Sequence, residues 1–397
     1  MTLGQRAKKA IAHAALTNSK RPEVFPSNYP THITKARGCY VWDENGKRLI
    51  DFVCALGTNF LGYAHKEIND AVKAQMDKGS LYSLGSDLEV EFAEKIQETF
   101  SYCERVRVLK SGTEGCNAAI RIARAATGRE WVISDGYHGW SDDFVSLTPP
   151  AKGIPMPRPW IGTLRELRIP SVPTLTAAII VEPVITDFSD KRVQELLELR
   201  EFCTRNKICL IFDETISAIR FPGLSVANHT GIYPDISVFG KALANGLPIS
   251  VVAGRAKFMD ADYFVSSSFA GDTLSMRAAM EVLRIAKHDI DGIWEYANRF
   301  VKNFNLLAPD LVHIEGYPTR GVFKAKDDET KAIFFQEACK AGLLFGPSFF
   351  WCEPHNMETS LVLGLCNTIF TRMRNGETKL DGELPVTPFA QKQRENK

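Results

Sequence analysis

The chain reads as an α/β protein built on a mostly parallel sheet flanked by helices. Two observations predict this. From Arg105 onward, apolar runs of four or five residues bounded by turn signals alternate with helical stretches, the pattern of strands buried on both faces and joined by crossover helices. Several of these runs also end in polar residues, where open α/β sheets gather their ligands.

The strand candidates are Val106–Leu109, Trp131–Ser134, Ala177–Val181, Cys209–Phe212, Ile236–Phe239 and Ile249–Ala253, and the helix candidates include Glu114–Ala126 and Val193–Asn206. Ahead of them, Cys39–Trp42 and Lys47–Phe52 flank Asp43-Glu44-Asn45-Gly46, a hairpin signal whose Asn-Gly tolerates the positive φ of a tight turn. Residues 66 to 100 carry helical periodicity, with Ile68, Val72 and Met76 at i, i+4 and i+8. Pro149, Pro150, Pro155, Pro157 and Pro159 exclude a helix or central strand there and mark a long loop, which we expect to be a lid. After about residue 287 the pattern changes to helix, strand and turn. The expected organisation is an arm and hairpin over 1–50, a large domain over 51–286 and a smaller α+β domain over 287–397, ending in a polar tail from Pro388.

Composition narrows the class. With 397 residues, 45% of them hydrophobic and 24% charged, the chain has the balance of a globular protein of two or three domains. Lys and Arg number 48 against 47 Asp and Glu, so the basic footprint of a nucleic-acid binder is missing. No apolar run approaches the ~18 residues of a membrane helix. The nine cysteines are scattered singly without a CxxC, which points to a reducing compartment and against a disulfide scaffold. The first 22 residues carry Arg6, Lys8, Lys9, Lys20 and Arg21 and no acid, with helical spacing from Ala7 to Leu16. They lack the apolar core of a secretory signal, and a surface helix is preferred to a transit peptide. A cytoplasmic location is expected.

Four strand ends carry chemistry. Lys110-Ser111-Gly112-Thr113-Glu114-Gly115 joins a strand to a helix: Gly112 lets a ligand approach, and free N–H groups at the helix start attract an anion. Taken alone, Ser111 to Glu114 is also an ordinary capping box. Asp135-Gly136-Tyr137-His138-Gly139-Trp140 sets an aromatic between glycines, able to stack on a flat ring. Asp213-Glu214 closes a buried run, so its carboxylate needs a partner: a metal, a ring nitrogen or a structural cation would each serve. Lys241, after Gly240, stands where desolvation turns a lysine into an amine nucleophile, or where it snorkels to solvent. It does not belong to a Walker A loop, since residue 235 is Asp and residue 242 is Ala.

Together these parts suit pyridoxal 5'-phosphate. The phosphate would sit on the helix start and the ring against Tyr137. Asp213 would pair with the ring nitrogen, while Lys241 would form the Schiff base and shuttle the proton.

Leu109–Arg129, Gly136–Gly139, Ile211–Arg220 and Pro234–Pro248 also resemble, in this order, the class III aminotransferases, and within them glutamate-1-semialdehyde 2,1-aminomutase and its relatives. The resemblance spans about Tyr40 to Phe350. It implies the type I fold of pyridoxal-phosphate enzymes and a homodimer with active sites at the subunit interface. By position, Lys241 matches the Schiff-base lysine, Asp213 the pyridinium partner, Gly112 and Thr113 the phosphate loop with Ser111 and His138 beside the cofactor, and Tyr137 the stacking aromatic. Ser268 falls where the family has a threonine that reaches the phosphate across the dimer. Glu182 matches a glutamate near the cofactor's ring oxygen, and Thr215 stands where Val or Ile packs on the ring.

Leu56 replaces the aminomutase tryptophan, Phe350, Trp351 and Cys352 occupy the place of a glutamate, and Phe25–Pro30 is altered. The expected activity is therefore an aminotransferase acting between an amino donor and a small polar or sugar-like carbonyl compound. An aminomutase is the close alternative. The altered pocket and polar tail also motivate a non-catalytic scaffold or sensor, which Lys241 and Asp213 argue against. A nucleotide-binding enzyme would lack both a GxGxxG and a Walker A loop.

Overall fold

The apolar runs become strands close to where the sequence places them. In chain order the strands are β1 (Ile33–Arg37), β2 (Tyr40–Asp43), β3 (Arg48–Asp51), β4 (Arg105–Leu109), β5 (Trp131–Asp135), β6 (Ile161–Thr163), β7 (Thr176–Val181), β8 (Cys209–Glu214), β9 (Ile236–Phe239), β10 (Ser250–Gly254), β11 (Val312–Tyr317), β12 (Arg320–Ala325), β13 (Leu343–Leu344) and β14 (Ser348–Phe350). This computed structural model describes residues 1–145, 161–163 and 172–386. The proline-rich segment read as a lid and the tail from Pro388 lie outside the described residues.

Two units divide the chain: one takes Thr58–Phe60 and Lys66–Asp291, the other Met1–Gly57, Leu61–His65 and Gly292–Lys397. The first holds a seven-stranded sheet in the order β4-β10-β9-β8-β7-β5-β6. Strands β9, β8, β7, β5 and β6 run parallel, and β10 is antiparallel to both of its neighbours. Two reversals leave β4 pointing the same way as β9. The carboxyl ends of β4, β5, β8 and β9 therefore open on one edge, the geometry that converges ligand-binding groups. Every residue of β7, β8, β9 and β10 is buried, which explains their unbroken apolar runs.

The helix Gly112–Thr127 is locked to this sheet by a close approach. A Cβ built on Gly115 would lie 2.3 Å from Ser250 Oγ and 2.7 Å from Val238 Cγ1. Only glycine lets the backbone come so near, and this sets the height of the helix start above the strand ends.

Two local expectations shift. The periodic stretch after residue 66 splits into helices Lys66–Met76 and Asp87–Thr99. Met76 is exposed and Gln75 is buried instead, because the Gln75 amide donates to the Gly79 carbonyl as the chain leaves the helix. The first helix spans Leu3–Ala10 rather than Ala7–Leu16: a capping box between Thr2 and Gln5 starts it early, and His13 and Ala14 at positive φ break the later pattern.

In the other unit, β1-β2-β3-β13 form one sheet and β11-β12-β14 another. The expected hairpin is β2–β3, paired antiparallel from Tyr40↔Ile50 to Trp42↔Arg48. Its core is aromatic: Phe52 and Phe300 each stack on Phe349, at 5.6 and 5.9 Å, and His355 lies flat on Phe52 at 4.1 Å. The helix Thr273–Leu307 runs unbroken through residue 287, where the sequence pattern changes, and passes from one unit into the other. All nine cysteines are free and buried. Among the described residues no helix is long and apolar enough to cross a membrane.

Candidate active site

A cavity of about 350 Å³ opens at the carboxyl edge of the seven-stranded sheet. From the end of β4 it takes Ser111, Gly112 and Thr113; from the end of β5, Tyr137 and His138; and from the ends of β7, β8 and β9, Glu182, Asp213 with Thr215, and Lys241. Nine of the ten residues singled out from the sequence thus meet in one place. The tenth, Ser268, is exposed and does not line the cavity.

Ser111 does cap the helix. Its hydroxyl accepts from Glu114 N at 3.3 Å, and Glu114 Oε2 accepts the N–H groups of Lys110 and Ser111 at 3.0 and 2.8 Å. The capping box and the anion cradle are therefore compatible. The cap consumes the N–H groups of Lys110, Ser111 and Glu114. Those of Gly112 and Thr113, in the first turn, have no carbonyl one turn earlier and line the cavity, able to receive an anion with the positive end of the helix dipole behind them. A Cβ on Gly112 would come within 2.8 Å of Thr215 Cγ2, so the bare backbone keeps this floor open.

The loop after β5 is built on two glycines with positive φ, Gly136 at 117° and Gly139 at 103°. A Cβ at Gly136 would strike Glu182 Oε1 at 2.8 Å, and one at Gly139 would strike Thr113 Oγ1 at 2.3 Å. Both positions are conformations that L side chains rarely adopt, and both lie against another part of the site. The loop holds the Tyr137 ring half-exposed at the cavity and buries His138.

Asp213 is 5% exposed and fully engaged. Its Oδ1 accepts Thr215 N at 3.0 Å, and its Oδ2 accepts His138 Nδ1 at 2.8 Å and the Cys116 thiol at 3.2 Å. Burial works against its charge, but the His138 and Thr215 donors outweigh burial and hold its pKa below the usual carboxylate range. Glu214, the next residue, faces away: it accepts from Val226 N, Ala227 N and Ser217 Oγ.

Lys241 sits at φ 41°, a strained value for a residue with a side chain. Burial lowers its pKa, and the charges of Asp213 and Glu182 oppose the shift without reaching contact. Among the described residues no carboxylate pairs with its Nζ. The result is an amine biased toward its neutral, nucleophilic form.

These observations fit pyridoxal phosphate. Free first-turn N–H groups suit the phosphate, an ionised carboxylate at the cavity floor suits a protonated ring nitrogen, and an unpaired amine suits the aldehyde.

The class-III aminotransferase family model matches residues 24–157 and 160–349. The chain belongs to this family. A glutamate-1-semialdehyde 2,1-aminomutase of Syntrophobacter fumaroxidans is 30% identical over 367 residues, covering 81% of this aminotransferase and 84% of the relative. The FumI protein of Sphingopyxis sp. MTA144, solved with pyridoxal phosphate, superposes with a TM-score of 0.87 at 23% identity, covering 96% of this aminotransferase and 98% of that chain. An omega-transaminase from Sphaerobacter thermophilus gives 0.83 at 21% identity, with 94% and 97% covered. The fold is thus the type I fold of pyridoxal-phosphate enzymes, and this aminotransferase is a pyridoxal-phosphate-dependent enzyme. The scaffold and nucleotide-enzyme readings are set aside.

Several site residues of the aminotransferase escaped the sequence reading. Thr58 and Ile216 line the cavity, and Lys110 closes its rim by donating to Asp272 Oδ2 at 2.6 Å and to the Pro248 carbonyl at 2.9 Å. Cys116 reaches Asp213 from one helical turn beyond Gly112, a spacing visible in the sequence but silent about its partner. Leu56 and the Phe350–Cys352 segment belong to the unit formed around the aromatic core, where Phe350, Trp351 and Cys352 are buried.

Proposed function

We propose that Lys241, Asp213 and Tyr137 form the catalytic centre of an enzyme exchanging an amino group between an amino donor and a small polar or sugar-like carbonyl compound. The observation that carries this reading is the pairing of opposites in one cavity: a buried amine that no carboxylate of the described residues contacts, and a carboxylate kept ionised despite burial.

Pyridoxal phosphate, when bound, supplies an aldehyde that captures amines and a ring that accepts electrons from the neighbouring carbon. Lys241 would hold it covalently and then move a proton at the reacting carbon. Asp213 would keep the ring nitrogen protonated. Gly112 and Thr113 would bind the phosphate through their N–H groups, with Ser111 fixing the turn, while Tyr137 and Thr215 would pack on the ring. Glu182 and His138 would hold the loop and the carboxylate in place.

Ser268 would complete the phosphate site of a second copy in a homodimer. Its exposure supports this, as do Phe264, Phe269 and Leu84 in the same unit, which are large apolar side chains left open to solvent. A mixture of Lys241→Ala and Ser268→Ala proteins should then regain activity that neither has alone, since one site of each mixed dimer is complete. A cytoplasmic location fits the nine reduced cysteines.

The test is an absorbance spectrum of protein with added pyridoxal phosphate beside Lys241→Ala. A visible band that the variant lacks, and that fades when an amino donor is added, supports an aminotransferase. A band that ignores donors while one substrate alone turns over favours an aminomutase, the reading suggested by the 30% identical relative. Absence of the band in folded wild-type protein overturns both.

A further inference from the structure

Two groups would compete for the charge of Asp213. Resting on the reading above, its charge belongs to the cofactor's ring nitrogen. Yet it is also the largest attraction felt by Lys241, and an ion pair there would protonate the amine and remove the nucleophile. Something must hold the carboxylate in its present orientation.

Three donors do so. Thr215 N fixes Oδ1, while His138 Nδ1 and the Cys116 thiol converge on Oδ2. A carboxylate can only accept, so His138 carries its proton on Nδ1. The thiol is a donor for the same reason: burial and the adjacent Asp213 charge push its pKa well up, so it stays S–H. Cys116 is 1% exposed and stands on the helix Gly112–Thr127, whereas His138 comes from the loop after β5, so two separate elements hold the same carboxylate oxygen.

We propose that Cys116 is a positioning residue: its thiol, sharing Asp213 Oδ2 with the His138 ring, clamps the carboxylate so that it serves the ring nitrogen and stays off Lys241. A competing explanation is a metal, since ligand-type atoms of Cys116, His138 and Asp213 all lie within 4.8 Å of one another. The protonated thiol and the Nδ1–H of His138 already fill that space with hydrogen bonds, and both would have to be lost to admit a cation.

The test uses full-length apoprotein of wild type, Cys116→Val, Cys116→Ser and Asp213→Asn. Infrared difference spectra between wild type and Cys116→Val isolate one S–H stretch. It should lie below the frequency of a thiol without an acceptor and move up in Asp213→Asn. The uptake rate of pyridoxal phosphate at neutral pH, which reads the availability of the Lys241 amine, should fall about fivefold in Cys116→Val, the size of one modest hydrogen bond, and recover in Cys116→Ser. Cys116→Ala gives the same comparison if valine does not fit the helix.

An S–H band at the unbonded frequency, unchanged uptake in the valine variant, or one equivalent of metal in the purified apoprotein overturns the clamp. If the thiol band is lowered but Asp213→Asn leaves the spectrum of the loaded protein unchanged, the ring-nitrogen role fails while the hydrogen bond stands.

Discussion

The backbone N–H of Tyr137 donates to Glu182 Oε1 at 2.7 Å, joining the loop after β5 to the residue that follows β7. The presentation of the Tyr137 ring therefore depends on a carboxylate 45 residues away in sequence. Glu182→Gln keeps a carbonyl oxygen at that place, whereas Glu182→Ala removes the acceptor. We expect the alanine variant to lose about 1 to 2 kcal/mol in urea unfolding and the glutamine variant less than half of that. Equal losses would mean that the charge, rather than the acceptor, holds the loop.

Glycines at positive φ separate strain from collision. Gly128, at φ 66°, caps the helix Gly112–Thr127 with nothing within 4 Å of a built Cβ. Gly139, at φ 103°, would bring its Cβ to 2.8 Å of Thr113 Cα, which is backbone and cannot turn aside. Gly128→Ala should cost about 1 to 2 kcal/mol and leave pyridoxal-phosphate affinity intact. Gly139→Ala should cost about 3 kcal/mol or more and displace Thr113, so that affinity falls with stability. Calorimetry of apoprotein and titration with cofactor distinguish the two.

Helix height is open to a rescue experiment. Gly115→Ala drives a methyl into Ser250 Oγ and lifts the helix start from the strand ends. Ser250 Oγ is buried without a hydrogen-bond partner among the described residues, so Ser250→Ala alone should be neutral or slightly stabilising. The double variant should recover part of the loss, and it gains alanine's helix propensity. Recovery of cofactor affinity along with stability would tie the phosphate cradle to this one contact.

What the sequence discloses follows from which interactions are local. β8 is legible because a strand buried on both faces must be apolar until the carboxyl edge, where Asp213 interrupts it. Ser111 to Glu114 is legible as a cap because its bonds span three residues. The role of Cys116 is not, since a thiol one turn into a helix looks like any small core residue until β8 is folded against it. The two-residue β13 is hidden for the same reason: Leu343–Leu344 becomes a strand only by pairing in parallel with β3, some 290 residues earlier. Met76 misleads because periodicity assumes a helix packed along its whole length, whereas this one ends at that residue.

The two units should respond to acid in opposite directions. In the sheet unit, burial raises the Glu214 pKa to about 7, against the pull of its Val226, Ala227 and Ser217 donors. The folded protein then binds this proton more tightly than the unfolded chain, so stability is highest below the unfolded value near 4.5 and declines as pH rises to 7. In the aromatic unit, burial lowers the His355 pKa to about 3, and the Asp51 carbonyl opposes it only weakly. Here the unfolded chain binds the proton more tightly, so stability is complete above 6.5 and is lost as pH falls toward 3. Between pH 7 and 5 each group shifts stability by about 2 kcal/mol, with opposite signs. Global unfolding would show little net change, and local amide exchange would reveal both. On going from pH 7 to 5, exchange corrected for its intrinsic pH dependence should slow around Glu214 and Val226 and quicken around Cys352 to His355. Glu214→Gln should abolish the first response alone, because a glutamine does not titrate. His355→Gln should abolish the second, at the cost of the stacking on Phe52. Absence of either response would show that the corresponding group keeps its unfolded pKa.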